Sequence, residues 1–250
     1  MWANKHFLKL NDSKTKFLAI TTKLKQFHLP SRLTEQFCFE STVRNLGFII
    51  DNKLSFNAQI NRVCQVSYFL LKNLRKISSK LTDINLKILL VKSCILSHID
   101  YCNSLYIFLP DNKIKKLQRV MNAAIRFIYN LKLSDDYSIT FYMKQCHFLP
   151  VKARVEYKIA VLVYKCLNNL APEYLANLVE IKDSLDSLRI SSDRLLLKTP
   201  RLNSINYKNR SFTNSAPRVW NKLPLILRQS GSLAIFQSRL KTHLFELYFS

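Results

Sequence analysis

Residues 97–104, SHIDYCNS, carry the residue types from which enzymes build nucleophilic and metal centres. A cysteine thiolate becomes a nucleophile when a histidine takes its proton and a third polar group orients that histidine. Cysteine and histidine are also common ligands of zinc. With Cys94 just upstream, the segment raises two chemical hypotheses, which are a Cys–His hydrolase built around Cys102 and a zinc site.

Helical spacing weakens both hypotheses. In a helix Cys94, His98 and Cys102 lie on one face, one turn apart, and the outer two are about 12 Å apart along the axis, too far for one tetrahedral ion. The aspartate between them points to a different side of the helix from Cys102. A zinc site completed by Cys146 and His147 from another segment stays open, but we expect Cys94, His98 and Cys102 to help pack the helix against its neighbours.

The charge balance favours a polyanionic partner. The chain has 39 Lys+Arg against 16 Asp+Glu, a formal net charge of +23, and 12% aromatic residues that can stack on bases. An anionic membrane surface and simple solubility are the alternatives, but no apolar run is long enough to span a bilayer, and we expect nucleic acid. The two glycines, Gly47 and Gly231, exclude a Gly-rich phosphate loop. Six scattered cysteines without a Cys-x-x-Cys pair favour an intracellular protein.

The hydrophobic pattern predicts the elements that position these residues. Two β-like runs, KFLAITTKL (16–24) and VRNLGFIID (43–51), precede a chain with helical periodicity, and Gly47 indicates a close backbone approach. Helices are predicted after Ser55 or Asn57, from Thr82 toward Ile107, after Pro110, and from Pro150, Pro172 and Ser232. Residues 183–211 are predicted to be irregular. The fold class is therefore mainly α with a small N-terminal β part.

Basic residues concentrate on these predicted helices. They either contact phosphates or form an ordinary solvated surface, and we expect phosphate contact. They are Lys72, Arg75 and Lys76 on the first helix, Lys113, Lys115, Lys116, Arg119 and Arg126 on the helix after Pro110, and Lys152, Arg154 and Lys158 on the helix after Pro150. Because such contacts are made with the sugar–phosphate backbone, they would position nucleic acid without reading its base sequence. Near the C-terminus Tyr207, Phe212 and Trp220 are candidates for base stacking, beside Lys208, Arg210 and Arg218. We expect Trp220 to be a core anchor instead, and the roles of Arg210 and Arg218 stay open.

Several ordered segments resemble one protein family. They are FLKLNDSKTKFLAI, VRNLGFIIDNKLSF, ILSHIDYCNSLYIFLPDNKIKKLQRVMNAAIRFI, HFLPVKARVEYKI, YKCLNNLAPEYL, RSFTNSAPRVWNKLP and FQSRLKTHLF. Together they resemble the C-terminal part of RNA-directed DNA polymerases, the reverse transcriptases, of non-LTR (LINE) retrotransposons of the jockey and CR1-like type. The resemblance implies the end of the palm at 1–51, a thumb-like helical bundle at 52–132, and a helical C-terminal domain at 133–250.

The resemblance also implies roles for single residues. Lys14 in LNDSKTKF occupies the position of a lysine that acts as a general acid on the pyrophosphate side of the polymerase reaction. Leu46, Gly47 and Phe48 lie at the turn of the β element that holds the primer end. The implied partners are RNA and DNA as template–primer, without a membrane, and the implied location is the nucleus and cytoplasm as a ribonucleoprotein.

The sequence departs from the family at the catalytic carboxylates. Polymerases need carboxylates for two metal ions, and in the family these precede the lysine motif, where this chain has only Asp12. The pair in LSDDY (133–137) follows the thumb-like segment, and we expect it to be a solvated turn. We interpret the chain as a truncated polymerase that binds template–primer without polymerising. No cofactor is expected in this chain, and Mg²⁺ is expected only in the full-length polymerase. The missing palm and fingers of the full-length protein are a further partner. A non-enzymatic interaction or scaffold protein derived from a retroelement is the alternative.

Overall fold

A computed structural model of the protein describes residues 5, 7, 11, 14–20, 37–132, 137–182, 195–200 and 211–250. The described residues are mainly helical, with one two-stranded antiparallel sheet, which confirms the predicted fold class. None of the helices in these ranges is both long and apolar enough to cross a membrane. The chain divides into two compact units, Met1–Asn61 and Arg62–Ser250. The division into three parts at residues 51/52 and 132/133 stays a prediction.

The first unit contains a tight β-hairpin. Strand β1 (Thr42–Asn45) pairs antiparallel with strand β2 (Phe48–Asp51), and Asn45 lies opposite Phe48, so the loop has only two residues. Those residues, Leu46 and Gly47, have φ angles of 47° and 87°, which is the geometry of a type I′ turn. Nothing described lies within 4 Å of a Cβ built at Gly47. The described residues therefore show no close backbone approach at Gly47, and the positive φ is what favours glycine there.

Asp51 ends the hairpin and fixes the path of the chain after it. Its carboxylate accepts hydrogen bonds from the backbone N–H groups of Lys53, Ser55 and Phe56, at 3.1, 2.9 and 2.6 Å. Burial raises the pKa of Asp51, but these hydrogen bonds together lower it by more than burial raises it, so the pKa lies below its ordinary value. Phe48 packs edge-on against Phe56, with ring centroids 5.5 Å apart.

The other predicted β-like run, residues 16–24, does not form a regular strand where it is described. Phe17 makes a single parallel bridge with Phe39 and contacts the ring of Phe37 at 4.2 Å. Lys16 pairs with Glu40 at 2.8 Å. Residues 21–24 lie outside the described residues.

Helices follow the hairpin to the end of the chain. They are α1 (Asn57–Lys76), α2 (Ile84–Val91), α3 (Ser97–Asp100), α4 (Asp111–Tyr129), α5 (Ile139–Gln145), α6 (Val151–Leu167), α7 (Glu173–Ala176), α8 (Phe212–Trp220), α9 (Leu225–Arg228) and α10 (Leu233–Phe249). A π-helical turn, Lys92–Leu96, joins α2 to α3, and 3₁₀ turns cover Ser78–Lys80 and Asn103–Tyr106. The predicted starts of α4, α6, α7 and α10 are confirmed. Of the predicted irregular segment 183–211, residues 183–194 and 201–210 lie outside the description.

Helix α6 is the centre of the second unit, because α4, α8, α10 and the 3₁₀ turn Asn103–Tyr106 all pack against it. Tyr164 of α6 stacks on Phe236 of α10, with ring centroids 4.5 Å apart, and its hydroxyl donates to the carbonyl of Ser230 at 2.7 Å. Trp220 is fully buried, and its Nε1 donates to the carbonyl of Leu195 at 2.7 Å. The core role predicted for Trp220 is therefore confirmed.

Candidate nucleic-acid interface

The SHIDYCNS segment does not form the helix face that its spacing predicts. Helix α3 ends at Asp100 rather than near residue 107, and Cys102 has a left-handed backbone with a φ of 52°. Cys94, His98 and Cys102 therefore do not line one face. His98 and Cys102 are exposed and Cys94 is half-buried, while Ile99 is fully buried. The expectation that the histidine and Cys102 pack the helix is wrong, because apolar neighbours fill that role.

The described residues contain no group of three or more His, Cys, Asp or Glu side chains that could hold a metal ion. Cys146, a candidate zinc ligand, is buried, and its thiol donates to the hydroxyl of Tyr129 at 3.6 Å. His147 instead packs against the ring of Phe245, with centroids 5.5 Å apart. Asp12 and the two aspartates of LSDDY lie outside the description.

In the first unit, the predicted nucleotide and primer contacts differ in accessibility. Lys14 is exposed, and its backbone N–H donates to the Oδ1 of Asn11 at 3.1 Å. Leu46 is 88% exposed at the hairpin turn beside Gly47, whereas Phe48 is only 3% exposed. The turn can therefore reach a ligand, but the ring of Phe48 belongs to the hairpin core.

Three cations form an open basic patch on α4, and we call Lys115, Lys116 and Arg119 the α4 patch. All three are exposed, and because Arg119 lies three and four residues after the lysines, their side chains are neighbours on the helix surface. The opposite side of α4 is buried and includes Leu117 and Met121. No carboxylate among the described residues forms an ion pair with the patch. The α4 patch therefore presents unneutralised positive charge.

The other two predicted cations of α4 are less accessible. Lys113 is half-buried, because it lies four residues before Leu117 and so faces the same side of the helix. Arg126 is also half-buried, and its Nε donates to the hydroxyl of Tyr137 at 2.6 Å. This contact fixes the plane of the Arg126 guanidinium.

A cleft connects Arg126 with the basic end of α1. It has a volume of about 480 Å³ and is lined by Arg75 and Arg126, with Ser78, Phe127 and Asn130. The structure thus brings together two arginines that the sequence predicted separately on α1 and α4. The other two predicted cations of α1, Lys72 and Lys76, are exposed on the last turns of the same helix.

The predicted cations of α6 do not act as one set. At 100° per residue, Lys152 lies on a different side of the helix from Arg154 and Lys158. Lys152 lines a small cavity of about 130 Å³ together with Asp111. Arg154 and Lys158 line a separate cavity of about 400 Å³, which Lys92 also lines. The predicted basic residues of the second unit therefore fall into separate places rather than one continuous surface.

Comparisons of the chain with protein-family models, with curated proteins and with solved structures return no match. Two cations of the cavity beside Arg154, Lys92 and Lys241, are absent from the predicted set. Lys92 follows the apolar helix α2 and Lys241 lies on the distant α10, so no local pattern joins them.

Proposed function

We propose that the chain binds an RNA–DNA template–primer as the C-terminal part of a non-LTR retrotransposon reverse transcriptase. The observation that carries the proposal is the α4 patch, Lys115, Lys116 and Arg119, which is exposed and has no described carboxylate partner. Such a patch gains free energy from phosphates because each contact releases counterions. In this role the chain acts in a ribonucleoprotein, in the nucleus and cytoplasm.

The cleft between α1 and α4 supports the same proposal. Arginine recognises phosphate through a planar fork of N–H donors. Among the described contacts of Arg126, Tyr137 takes the Nε, so the terminal nitrogens remain for a phosphate oxygen. Arg75 lines the same cleft, and the two guanidinium groups are suited to adjacent phosphates of one strand. These contacts hold the nucleic acid backbone and are independent of base sequence.

Charge reversal tests the proposal with a matched control. The triple variant K115E/K116E/R119E removes the patch, and K144E/K222E/R239E changes the charge equally at exposed sites elsewhere in the second unit. We expect the slope of log K against log salt to be less steep by about 2–3 in the patch variant, because each lost phosphate contact removes about 0.7–0.9 from its magnitude. Equal slopes in the two variants, with unchanged circular dichroism, would contradict the proposal.

We also propose that this chain alone has no polymerase activity. The family's metal-binding carboxylates precede the lysine motif, and the only acidic residue before Lys14 in this sequence is Asp12. Primer extension with deoxynucleotides and Mg²⁺ should therefore give no longer product. Extension by the purified chain would overturn this part and leave the binding part standing.

A scaffold function is the second candidate, and exposed apolar side chains favour it. Phe69 of α1 is 63% exposed and Leu89 of α2 is 61% exposed, with Tyr68 and Leu86 at 45% and 40%. In this function these side chains would contact the partner, as contiguous apolar patches on protein surfaces do. Under this function the α4 charge reversal would leave partner binding unchanged, whereas substitution of Phe69 and Leu89 by serine would abolish it.

A further inference from the structure

A cavity of about 400 Å³ in the second unit gathers side chains from five parts of the chain. We call it the basic pocket. It is lined by Lys92 and Leu96 of the π-helical turn, Asp100 of α3, His147, Phe148 and Leu149 before α6, Arg154, Tyr157 and Lys158 of α6, and Lys241 of α10. None of these side chains belongs to the α4 patch or to the α1–α4 cleft, so the pocket is a separate site.

The pocket has an excess of positive charge. Four cations, Lys92, Arg154, Lys158 and Lys241, face one carboxylate, Asp100. That carboxylate is already engaged, because its oxygens accept from the Nε of Arg154 at 2.7 Å and from its Nη2. None of the three lysines forms an ion pair with a carboxylate in the part of the chain that the structure describes. An anionic ligand would neutralise this charge.

Two of the four cations, Arg154 and Lys92, make contacts that orient them. The side chains of Arg154 and Asp100 are only 20% and 27% exposed, and the Nδ2 of Asn103 donates to Asp100 at 3.2 Å. The guanidinium is thereby oriented, and its Nη1 is the nitrogen that Asp100 leaves for another acceptor. The Nζ of Lys92 lies 5.9 Å from the ring centroid of Phe148, a cation–π distance that restrains the ammonium group.

The pocket also has apolar and aromatic lining beside His147. Leu96, Phe148 and Leu149 are buried, and Tyr157 is half-buried. The volume of about 400 Å³ lies within the range of small-molecule sites, which is about 300–1,000 Å³. It is larger than a lone phosphate needs. The lining therefore suits a ligand that combines a phosphate with a ring system.

We propose that the basic pocket binds a phosphomonoester of nucleotide size. Two sources share this chemistry, a free nucleoside monophosphate and the phosphorylated end of a nucleic acid strand. The pocket adds to the proposed template–primer binding, since it does not use Lys115, Lys116 or Arg119. Its cations favour a terminal phosphate, which carries more negative charge than an internal phosphodiester and so gains more from the excess positive charge of the pocket.

Calorimetric titration with adenosine 5′-monophosphate tests the pocket. The variant K92E/K241E should bind it at least about tenfold more weakly than K222E/R239E, a matched control with the same change of charge outside the pocket. Adenosine, which lacks the phosphate, should bind at least about tenfold more weakly to the unchanged protein. Equal affinities of the two variants, or of the two ligands, would overturn the proposal. Circular dichroism of both variants checks that each remains folded.

Competition then identifies the source of the phosphate. If the source is a strand end, a 5′-phosphorylated oligonucleotide should displace the monophosphate more strongly than the same oligonucleotide with a 5′-hydroxyl. Equal displacement would assign the pocket to the free nucleotide. The variant K115E/K116E/R119E should keep its affinity for the monophosphate, so failure of the pocket and failure of template–primer binding are seen in different variants.

Discussion

Replacing Asp100 with asparagine should destabilise the second unit by about 2–3 kcal/mol. The carboxylate accepts two charge-assisted hydrogen bonds from Arg154, and both side chains are less than a third exposed. A hydrogen bond to a charged group contributes about 1.5–3 kcal/mol, and removal of one partner of a fully buried pair costs about 3–5 kcal/mol. Partial exposure places the expected loss in free energy of unfolding below that upper range.

Urea unfolding followed by circular dichroism measures this effect. The variants D100N, R154L and D100N/R154L form a double-mutant cycle, and we expect a coupling energy of about 1–2 kcal/mol between the two positions. The loss for D100N corresponds to a decrease in melting temperature of about 5–10 °C for a chain of this length. A coupling energy near zero would refute the role of Asp100 in orienting Arg154, provided that the slope of the free energy of unfolding against urea is the same in all variants.

Three further predictions concern other parts of the chain. Trp220→Ala should lower the free energy of unfolding by about 3–5 kcal/mol, because it leaves a cavity in the core of the second unit; a loss under about 1 kcal/mol would contradict its core role. The pKa of Asp51 lies below its usual value of about 3.9, so its hydrogen bonds stabilise the first unit above that pH and weaken as the pH falls further. An NMR titration of the Phe56 amide should report this loss, and an unchanged signal through the acid range would contradict it. Burial raises the pKa of the Cys146 thiol, while Cys102 is exposed. Iodoacetamide should therefore label Cys102 before Cys146, as followed by mass spectrometry, and equal rates would contradict the burial of Cys146.

The long helices could be predicted from the sequence because each has a continuous apolar stripe and a clear start. In α4 the stripe includes Leu117, Met121 and Ile128, all buried. Pro110 and Pro150 immediately precede α4 and α6, and Ser232 caps α10 by accepting from the N–H of Ile235 at 3.3 Å. These signals are local, so a single sequence contains them.

The end of α3 could not be predicted from periodicity. The apolar pattern continues past Asp100, but the chain leaves the helix there and Cys102 adopts a positive φ. The π-helical turn before α3 also changes the register of side chains. The short helices α5, α8 and α9 span too few residues to show a clear period.

The candidate site was only partly predictable, because local spacing does not determine the distant environment of a charge. The exposed cations of α4 were predicted as such, but Lys113 and Arg126 are half-buried. Lys92, Arg154 and Lys241 meet in one pocket only because α6 packs against α10 and against α3. Asp100, which the sequence suggested as part of a catalytic centre, instead orients the arginine of that pocket.

The measurement that tests the central claim most directly is the salt dependence of binding to an RNA–DNA hybrid. Fluorescence anisotropy with a labelled hybrid should give tight binding at low salt. The α4 patch with Arg75 and Arg126 supplies five cations, so log K should fall against log salt with a slope of about −4. A chain that shows no affinity for the hybrid at low salt, or an affinity that salt does not change, would contradict the account.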